Sequence, residues 1–307
     1  MNRLYYKYSE YLIQKYGQKV YKIPLNIPSS CPNRDGTKSY DGCIFCAPDG
    51  SGHENMREDI DLCIQYNTIR KILEEKYKAT KYIAFFQSYS NTYMPLDKFK
   101  YYMKTAAHMD SCVALSISTR PDCLEDSYME FLKELKKEHN IDICIEIGLQ
   151  STNNNTLKIL NRHHSVYDVV VAAEKIKSAG FELCTHIIAD LPWDGKKDIL
   201  NTAKLINEIK TDSLKIHSLY VAKDTMLEKM YYAGKIHLLS LDEYVERIIL
   251  LLENIHKDIA IQRLVSRVTE RLSVICTWNK SWRKIVDIIE NKLLEMNSYQ
   301  GKALENK

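Results

Sequence analysis

The sequence predicts an α/β fold, a partial (six-stranded) parallel β/α barrel with a mainly helical C-terminal extension. Two observations lead to this prediction. Short apolar runs alternate with segments of helical periodicity five times before a sixth apolar run. Beyond residue 225 the apolar residues recur mostly at helical spacing. We therefore expect residues 1–224 to form the barrel, with a tyrosine-rich N-terminal segment, and residues 225–307 to form a basic extension packed on it.

The predicted elements alternate between strand and helix. The six strands are apolar runs at residues 21–27, 81–87, 112–118, 141–150, 181–188 and 213–219. Apolar residues at helical spacing predict helices at 59–77, 96–109, 126–137, 166–179 and 196–209, the fourth of them ended by Gly180. In the extension we expect helices at 241–256 and 282–296 and a candidate last strand at 259–264. Because a helix follows each strand, the sheet should be mostly parallel with right-handed crossovers.

Composition and charge exclude several classes of protein. The 307 residues are 45% hydrophobic and 27% charged, which indicates a globular chain and excludes a disordered one. The longest aliphatic run, residues 248–252, is far shorter than the roughly 20 residues of a membrane span. The first dozen residues lack an apolar core, so we expect no secretory signal and a cytoplasmic protein. The ends are basic and the middle is acidic, which suits either a nucleic-acid partner or ordinary solvated helix faces.

Polar or ionisable residues stand within or directly after the predicted strands. They are Gln87 and Ser88 on the second strand, Ser118 and Arg120 on the third, Glu146, Gln150 and Ser151 on the fourth, His186 on the fifth and His217 on the sixth. Polar groups inside apolar runs are costly unless they find partners. The C-terminal ends of strands in a parallel barrel share one site. We therefore predict one polar pocket, although an ordinary loop start would explain any single position.

Three cysteines lie in a Gly/Pro/Asp-rich loop at residues 28–52. Cys31, Cys43 and Cys46 have the spacing C-x11-C-x2-C. Zinc would require a fourth ligand, for which His53 is near in sequence, whereas an iron–sulfur cluster could use three thiolates and leave one iron open. Unliganded cysteines are a poor explanation, because such a loop offers no core to bury them. A position over the polar pocket favours the open cluster. We expect the other cysteines to be reduced thiols.

The loop sequence CPNRDGTKSYDGCIFC resembles the cluster loop of the YhcC/YtqA-like radical S-adenosylmethionine (SAM) family, a relative of the Elongator catalytic subunit. The resemblance extends over nearly the whole chain. The segments that carry it are residues 86–87, 91–93, 116–124, 146–151, 161–164, 186–188, 191–192, 215–217 and 262–264. Departures from the family pattern occur at His163, at Asp190 with residues 193–194, and at residues 266–267. None of them affects the three cysteines.

The resemblance implies a radical SAM fold, a 4Fe–4S cluster on Cys31, Cys43 and Cys46, and SAM bound to its open iron. It also implies an electron donor such as flavodoxin or ferredoxin, and a 5′-deoxyadenosyl radical that abstracts hydrogen from the substrate. By similarity, Phe45 would lie near the adenine. The expected cofactor contacts are Gln87 and Ser88 toward the methionine part, Gln150 and Ser151 toward the ribose, and Ser118, Arg120, Glu146 and His186 elsewhere in the pocket.

The relation to the Elongator subunit suggests a transfer RNA substrate, with chemistry on the 5-side chain of the wobble uridine. One such step is trimming of a carboxymethylaminomethyl group to aminomethyl. Basic residues near the C-terminus suit RNA contacts: Arg263, Arg267 and Arg271, which would share a face if helical, and Lys280, Arg283 and Lys284, with Trp278 and Trp282 between them. Two alternatives remain open, a radical enzyme acting on a protein or small metabolite, and a zinc-stapled binding module without catalysis.

Overall fold

Seven parallel strands form one sheet whose order follows the chain. The computed structural model describes residues 3–47, 50, 56–268, 273–275 and 277–305. The strands of the main sheet, in spatial order, are β1 Tyr21–Leu25, β2 Tyr82–Phe86, β3 Cys112–Thr119, β4 Asp142–Gln150, β5 Glu182–Ile188, β6 Ser213–His217 and β8 Ala260–Arg263. A separate antiparallel pair joins β7 Val221–Ala222 to β9 Ser273–Ile275. The architecture is a parallel partial barrel, as predicted.

Helices precede, connect and follow the parallel strands. In chain order they are α1 Tyr8–Tyr16, α2 Leu62–Tyr77, α3 Leu96–Ala107, α4 Asp126–His139, α5 Asn154–Ile159, α6 Val166–Ser178, α7 Lys196–Glu208, α8 Met226–Tyr232, α9 Leu241–Glu253 and α10 Trp282–Glu295. In the extension, α9 packs on α7 of the barrel and α10 packs on α9. The domain boundary at residue 224 itself stays a prediction. In the described part of the chain, every helix is too short or too polar to cross a membrane.

The predicted strand count was one too low. All six predicted strands are present, but the candidate strand at 259–264 also forms and joins the sheet as β8. Its residues pair in parallel with β6, with Ser213 opposite Ala260 and Lys215 opposite Arg263. Pairing there satisfies backbone groups along β6 and buries Ala260 and Ile261. The main sheet therefore has seven strands, and one of them comes from the predicted extension.

Alternation along β4 shows how the sheet separates its core from its interior. Ile143, Ile145, Ile147 and Leu149 belong to the buried apolar cluster formed with the helices. The residues between them, including Glu146 and Gly148, face the other side, because successive side chains on a strand point to opposite faces. Both of these residues line a cavity. The sequence of β4 thus places a carboxylate inside the partial barrel.

The tyrosine-rich N-terminal segment forms α1, which the sequence pattern did not predict as a helix. Its Tyr16 hydroxyl donates to Asp142 Oδ2 at 2.8 Å, and its Tyr11 hydroxyl donates to Glu182. Lys15 forms ion pairs with both carboxylates. Asp142 and Glu182 are the first residues of β4 and β5. The segment therefore covers the N-terminal end of these strands.

Candidate active site

A cavity of about 190 Å³ lies at the C-terminal ends of the parallel strands. Seven of the residues predicted to contact a cofactor line it, namely Phe45, Gln87, Ser118, Arg120, Glu146, Gln150 and His186. His217 and the three loop cysteines line it as well. The prediction of a polar pocket at the strand ends is therefore confirmed in its location.

Ser88 and Ser151 do not line the cavity. The Ser151 hydroxyl is buried and donates to Asp194 Oδ2 at 2.7 Å, which ties the end of β4 to the turn before α7. Ser88 is also buried, and its carbonyl oxygen accepts hydrogen bonds from Ser29 and from Asn91. Ser90, two residues further on, is the serine after β2 that lines the cavity.

Side chains of the cysteine loop itself make the hydrogen bonds that fix its shape. The Arg34 guanidinium donates to the carbonyl oxygens of Cys46 and Ala47 at 2.9 and 2.6 Å. Asn33 donates to the Asn161 carbonyl oxygen at 2.6 Å. These contacts hold a loop without regular secondary structure in one conformation, so that its thiols line the cavity.

The three thiols lie in a polar setting that suits a metal cluster. Arg162 Nη1 donates to Cys43 Sγ at 3.3 Å, and Asn33 Nδ2 donates to it at 3.5 Å. Burial, followed by the neighbouring Cys43, raises the pKa of the Cys46 thiol to about 11. Because neighbouring thiolates repel one another, these thiols lose their protons together only when a cation binds them. N–H groups directed at the sulfurs of an iron–sulfur cluster tune its properties. His53, the alternative zinc ligand, lies outside the described residues.

Three buried polar atoms on the cavity wall lack a hydrogen-bond partner among the described residues. They are Ser90 Oγ, Ser118 Oγ and Arg120 Nη1. The rest of the Arg120 side chain is fixed, because its Nε and Nη2 donate to Asp122 at 2.9 Å each. An unsatisfied buried polar group costs about 1–3 kcal/mol. The wall therefore fits a polar ligand that would bind these atoms.

A buried carboxylate organises the opposite part of the cavity. Glu146 accepts hydrogen bonds from Ser116 Oγ at 2.6 Å and His186 Nε2 at 2.7 Å. It also pairs with Lys22 Nζ at 2.5 Å and Lys215 Nζ at 3.2 Å. Although burial alone would raise it, these two ammonium groups hold the pKa of Glu146 well below its usual range. Sequence reasoning missed both lysines, even though a lysine inside an apolar strand is the same signal as Glu146.

The two cavity histidines are neutral and hydrogen-bonded to each other. Burial, followed by Lys215, lowers the pKa of His186 to about 4. Burial and Arg263 lower the pKa of His217 well below its usual value. His186 Nδ1 lies 3.3 Å from His217 Nε2. Ligand atoms of Glu146, Cys184 and His186 lie within 4.8 Å of one another, but the lysine ammonium groups already neutralise the carboxylate, which disfavours a metal there.

The basic C-terminal residues are arranged differently from the prediction. No helix spans residues 263–268: Arg263 ends β8 and Arg267 lies in the loop that follows, so the condition for a shared helical face is not met. The apolar run before Arg263 pairs with β6, as the candidate strand at 259–264 predicted. Both arginines line the cavity. Arg271 lies outside the described residues.

A strip of basic residues leads from the cavity to the surface. The Arg267 guanidinium lies 4.1 Å from the centre of the Trp282 ring, and that of Arg283 lies 5.2 Å from it. Lys280 and Lys284 are exposed nearby in sequence, before and within the first turn of α10. We call Arg267, Trp282, Arg283, Lys280 and Lys284 the basic strip.

Two family models match the chain. The model described as the Radical SAM superfamily matches residues 26–206, and the model of the Radical_SAM C-terminal domain matches residues 211–295. The chain is 33% identical over 301 residues to the uncharacterized protein YtqA of Bacillus subtilis, covering 98% of this chain and 93% of that protein.

Further relatives are longer proteins that this chain covers only in part. The chain is 33% identical over 139 residues to the tRNA uridine(34) acetyltransferase of Methanocaldococcus infernus, a match that covers 43% of this chain and 24% of that enzyme. The structure of M. infernus Elp3 with an N-terminal deletion superimposes with a TM-score of 0.70 at 18% identity, and the match covers 92% of this chain and 64% of that one. This structural likeness shows the fold.

Proposed function

The chain belongs to the radical SAM superfamily, and on that premise we propose that it modifies transfer RNA at the 5-side chain of the wobble uridine. Membership makes it an enzyme that binds a 4Fe–4S cluster and SAM. Membership also argues against the alternative of a zinc-stapled module without catalysis. When bound, the cluster and SAM supply a 5′-deoxyadenosyl radical by one-electron cleavage of SAM. A flavodoxin or ferredoxin would deliver that electron.

The chain's own residues position these groups. Cys31, Cys43 and Cys46 would hold the cluster, with Arg162 and Asn33 donating to the Cys43 sulfur. The free hydrogen-bonding capacity of Ser90, Ser118 and Arg120 would bind polar groups of SAM, because these buried atoms have no other partner among the described residues. Phe45, Gln87 and Gln150 would complete that wall. Precise positioning and exclusion of water are the main contribution of the protein to such chemistry.

The observation that carries the substrate proposal is the 139-residue match to an enzyme named for uridine 34 of tRNA. The basic strip supports it. Arg267 both lines the cavity and stacks on Trp282, and Arg283 continues the strip outward. Arginine and aromatic side chains in this arrangement bind phosphates and stack on bases. A transfer RNA substrate also places the enzyme in the cytoplasm.

We propose trimming of a 5-carboxymethylaminomethyl group to aminomethyl as the reaction. A hydrogen atom leaves the methylene carbon between nitrogen and carboxylate and forms a C–H bond in 5′-deoxyadenosine. The carbon radical has to lose one electron to give a C=N bond, and the oxidised cluster, when held by the three cysteines, would be the acceptor for it. Water adds to that bond, and C–N cleavage releases glyoxylate and leaves the aminomethyl group on the uridine. The nitrogen lone pair stabilises the radical, which is why hydrogen is abstracted at this carbon.

Nucleoside profiling of transfer RNA tests the proposal. A strain without the gene should accumulate 5-carboxymethylaminomethyluridine derivatives and lose the aminomethyl products, and the reconstituted enzyme should reverse this in vitro with release of glyoxylate. An unchanged nucleoside profile, together with no reaction on the purified RNA, would contradict it.

A further inference from the structure

Three ionisable side chains lie in one row across neighbouring strands of the sheet. Gly148 of β4 is paired in register with His186 of β5, His186 with Lys215 of β6, and Lys215 with Arg263 of β8. All four residues line the cavity. We call His186, Lys215 and Arg263 the basic row. Gly148 contributes no side chain to the row, and a Cβ there would lie 2.7 Å from Gln150 Nε2 and 3.0 Å from Arg162 Nη2.

The basic row lies at one side of the cavity and the cofactor residues at the other. The cysteines follow β1, and the polar atoms that lack partners follow β2 or end β3. The basic row belongs to β5, β6 and β8, which come later in the spatial order of the sheet. A group bound by the row would therefore lie beside a cofactor held by the loop and the first strands. That is the place where a substrate has to be.

The Glu146 carboxylate does not balance the two lysines that pair with it. Glu146 is the one carboxylate that lines the cavity in the described part of the chain, and it is shared by two ammonium groups, those of Lys22 and Lys215. One positive charge is thus left over among these three residues. His186 and His217 add no charge to this count, since both are neutral. Arg263 adds to the positive potential, as its lowering of the His217 pKa shows.

Hydrogen bonds fix the direction in which these groups can donate. His186 Nε2 lies against the Glu146 carboxylate and therefore carries the proton of this neutral ring. Its Nδ1 must then accept, so the facing His217 Nε2 is the donor. Lys215 gives one of its three N–H groups to Glu146, and the others remain available for a bound group. The two remaining N–H groups of the buried Lys215 ammonium match an anion.

We propose that the basic row is a subsite for a carboxylate on the substrate side chain, bound by Lys215 and Arg263. The inference rests on the proposed function and adds to it the chemical class that the enzyme selects. Glu146 and His186 are positioning residues here, because they orient Lys215 and His217 without reaching the substrate themselves. A charge-assisted pair with a carboxylate discriminates against a neutral analogue by about tenfold or more in affinity.

The test compares two anticodon stem-loop RNAs that differ in one group. The wobble uridine of one carries the carboxymethylaminomethyl group, and that of the other carries its methyl ester. Dissociation constants are measured by fluorescence anisotropy with the anaerobically reconstituted full chain and SAM. The wild-type enzyme should bind the acid about tenfold more tightly than the ester. This preference should fall to within twofold in Lys215→Met, survive in Lys215→Arg, and stay unchanged in Lys204→Met, an exposed lysine on α7.

The outcomes separate the subsite from the reaction. Equal affinity of the wild-type enzyme for acid and ester, with conversion of the acid retained, overturns the carboxylate subsite and leaves the proposed function intact. Neither binding nor conversion of the acid-bearing RNA overturns both. A preference that persists in Lys215→Met, with its iron content retained, also overturns the subsite. The wild-type comparison needs no substitution, so it decides the matter even if Lys215→Met fails to fold.

Discussion

Substitution Glu146→Gln should destabilise the protein strongly at neutral pH. The amide keeps the shape of the side chain and can still accept from Ser116 and His186, so the change removes mainly the charge that Lys22 and Lys215 share. Breaking a buried ion pair by removing one partner costs about 3–5 kcal/mol. At about 2 °C per kcal/mol for a chain of this length, the melting temperature should fall by about 6–10 °C at pH 7.

The deficit should become smaller as the pH rises. Burial lowers the pKa of Lys215 to about 8 in the folded protein, although the Glu146 carboxylate raises it. Loss of that carboxylate should therefore lower the pKa of Lys215 further. A lysine with a lowered folded pKa binds fewer protons in the folded chain than in the unfolded one, so stability rises with pH above the folded value. In Glu146→Gln this rise begins at lower pH. The difference from wild type at pH 9 should therefore be smaller than at pH 7.

Thermal unfolding followed by circular dichroism at pH 7 and pH 9 is the assay. Glu246→Gln is the matched control, because it is the same chemical change at an exposed ion pair with Lys196. Exposed pairs contribute about 0–1 kcal/mol, so this variant should melt within about 2 °C of wild type. Equal melting temperatures for the two variants, or a Glu146→Gln deficit that grows toward pH 9, would refute the charge argument.

Three further predictions concern the cofactor and the RNA. Alanine at any one of the three loop cysteines should abolish the uptake of about four irons per chain. Alanine at the exposed Cys63 is the control and should leave iron uptake unchanged. Stoichiometric zinc without iron in the wild-type protein would contradict this prediction. The reduced, reconstituted protein should convert SAM to 5′-deoxyadenosine, and S-adenosylhomocysteine as the sole product would exclude the radical reaction. Replacing Arg267 and Arg283 together by Gln should flatten the slope of log affinity for RNA against log salt by about one to two, and an unchanged slope would show that neither contacts phosphate.

The sequence predicted the strands well because each strand is a local run of apolar residues, longer than the composition would give by chance. Glu146 was found by one rule, that an ionisable residue in such a run needs a partner. The rule applies equally to Lys215 and Lys22, whose partnership with Glu146 requires three strands to be brought together. Arg162 could not be found in this way, since its contact with Cys43 joins residues 119 positions apart.

Neighbouring polar residues were the least predictable part of the site. Gln150 lines the cavity and Ser151 does not, because the register of β4 against β5 shifts between Gly148 and Gln150 and Gln150 takes a positive φ of 66°. Such an irregularity changes which side chain faces inward. The sequence left open whether the stretch around Arg263 and Arg267 is strand or helix, for a different reason. A short apolar run does not distinguish strand from helix by periodicity, and only the open edge of β6 decides the outcome.

The position of α1 at the N-terminal ends of β4 and β5 bears on how molecules reach the cavity. Tyr11, Lys15 and Tyr16 tie α1 to the first residues of β4 and β5, opposite the cavity. The cavity lies at the opposite ends of the strands, beside the cysteine loop, and we expect small molecules to enter there. A macromolecule seated over that entrance would trap whatever is already inside and keep bulk reductants away from a radical. If the proposed RNA substrate docks there, we expect SAM to bind before it and 5′-deoxyadenosine to leave after it departs.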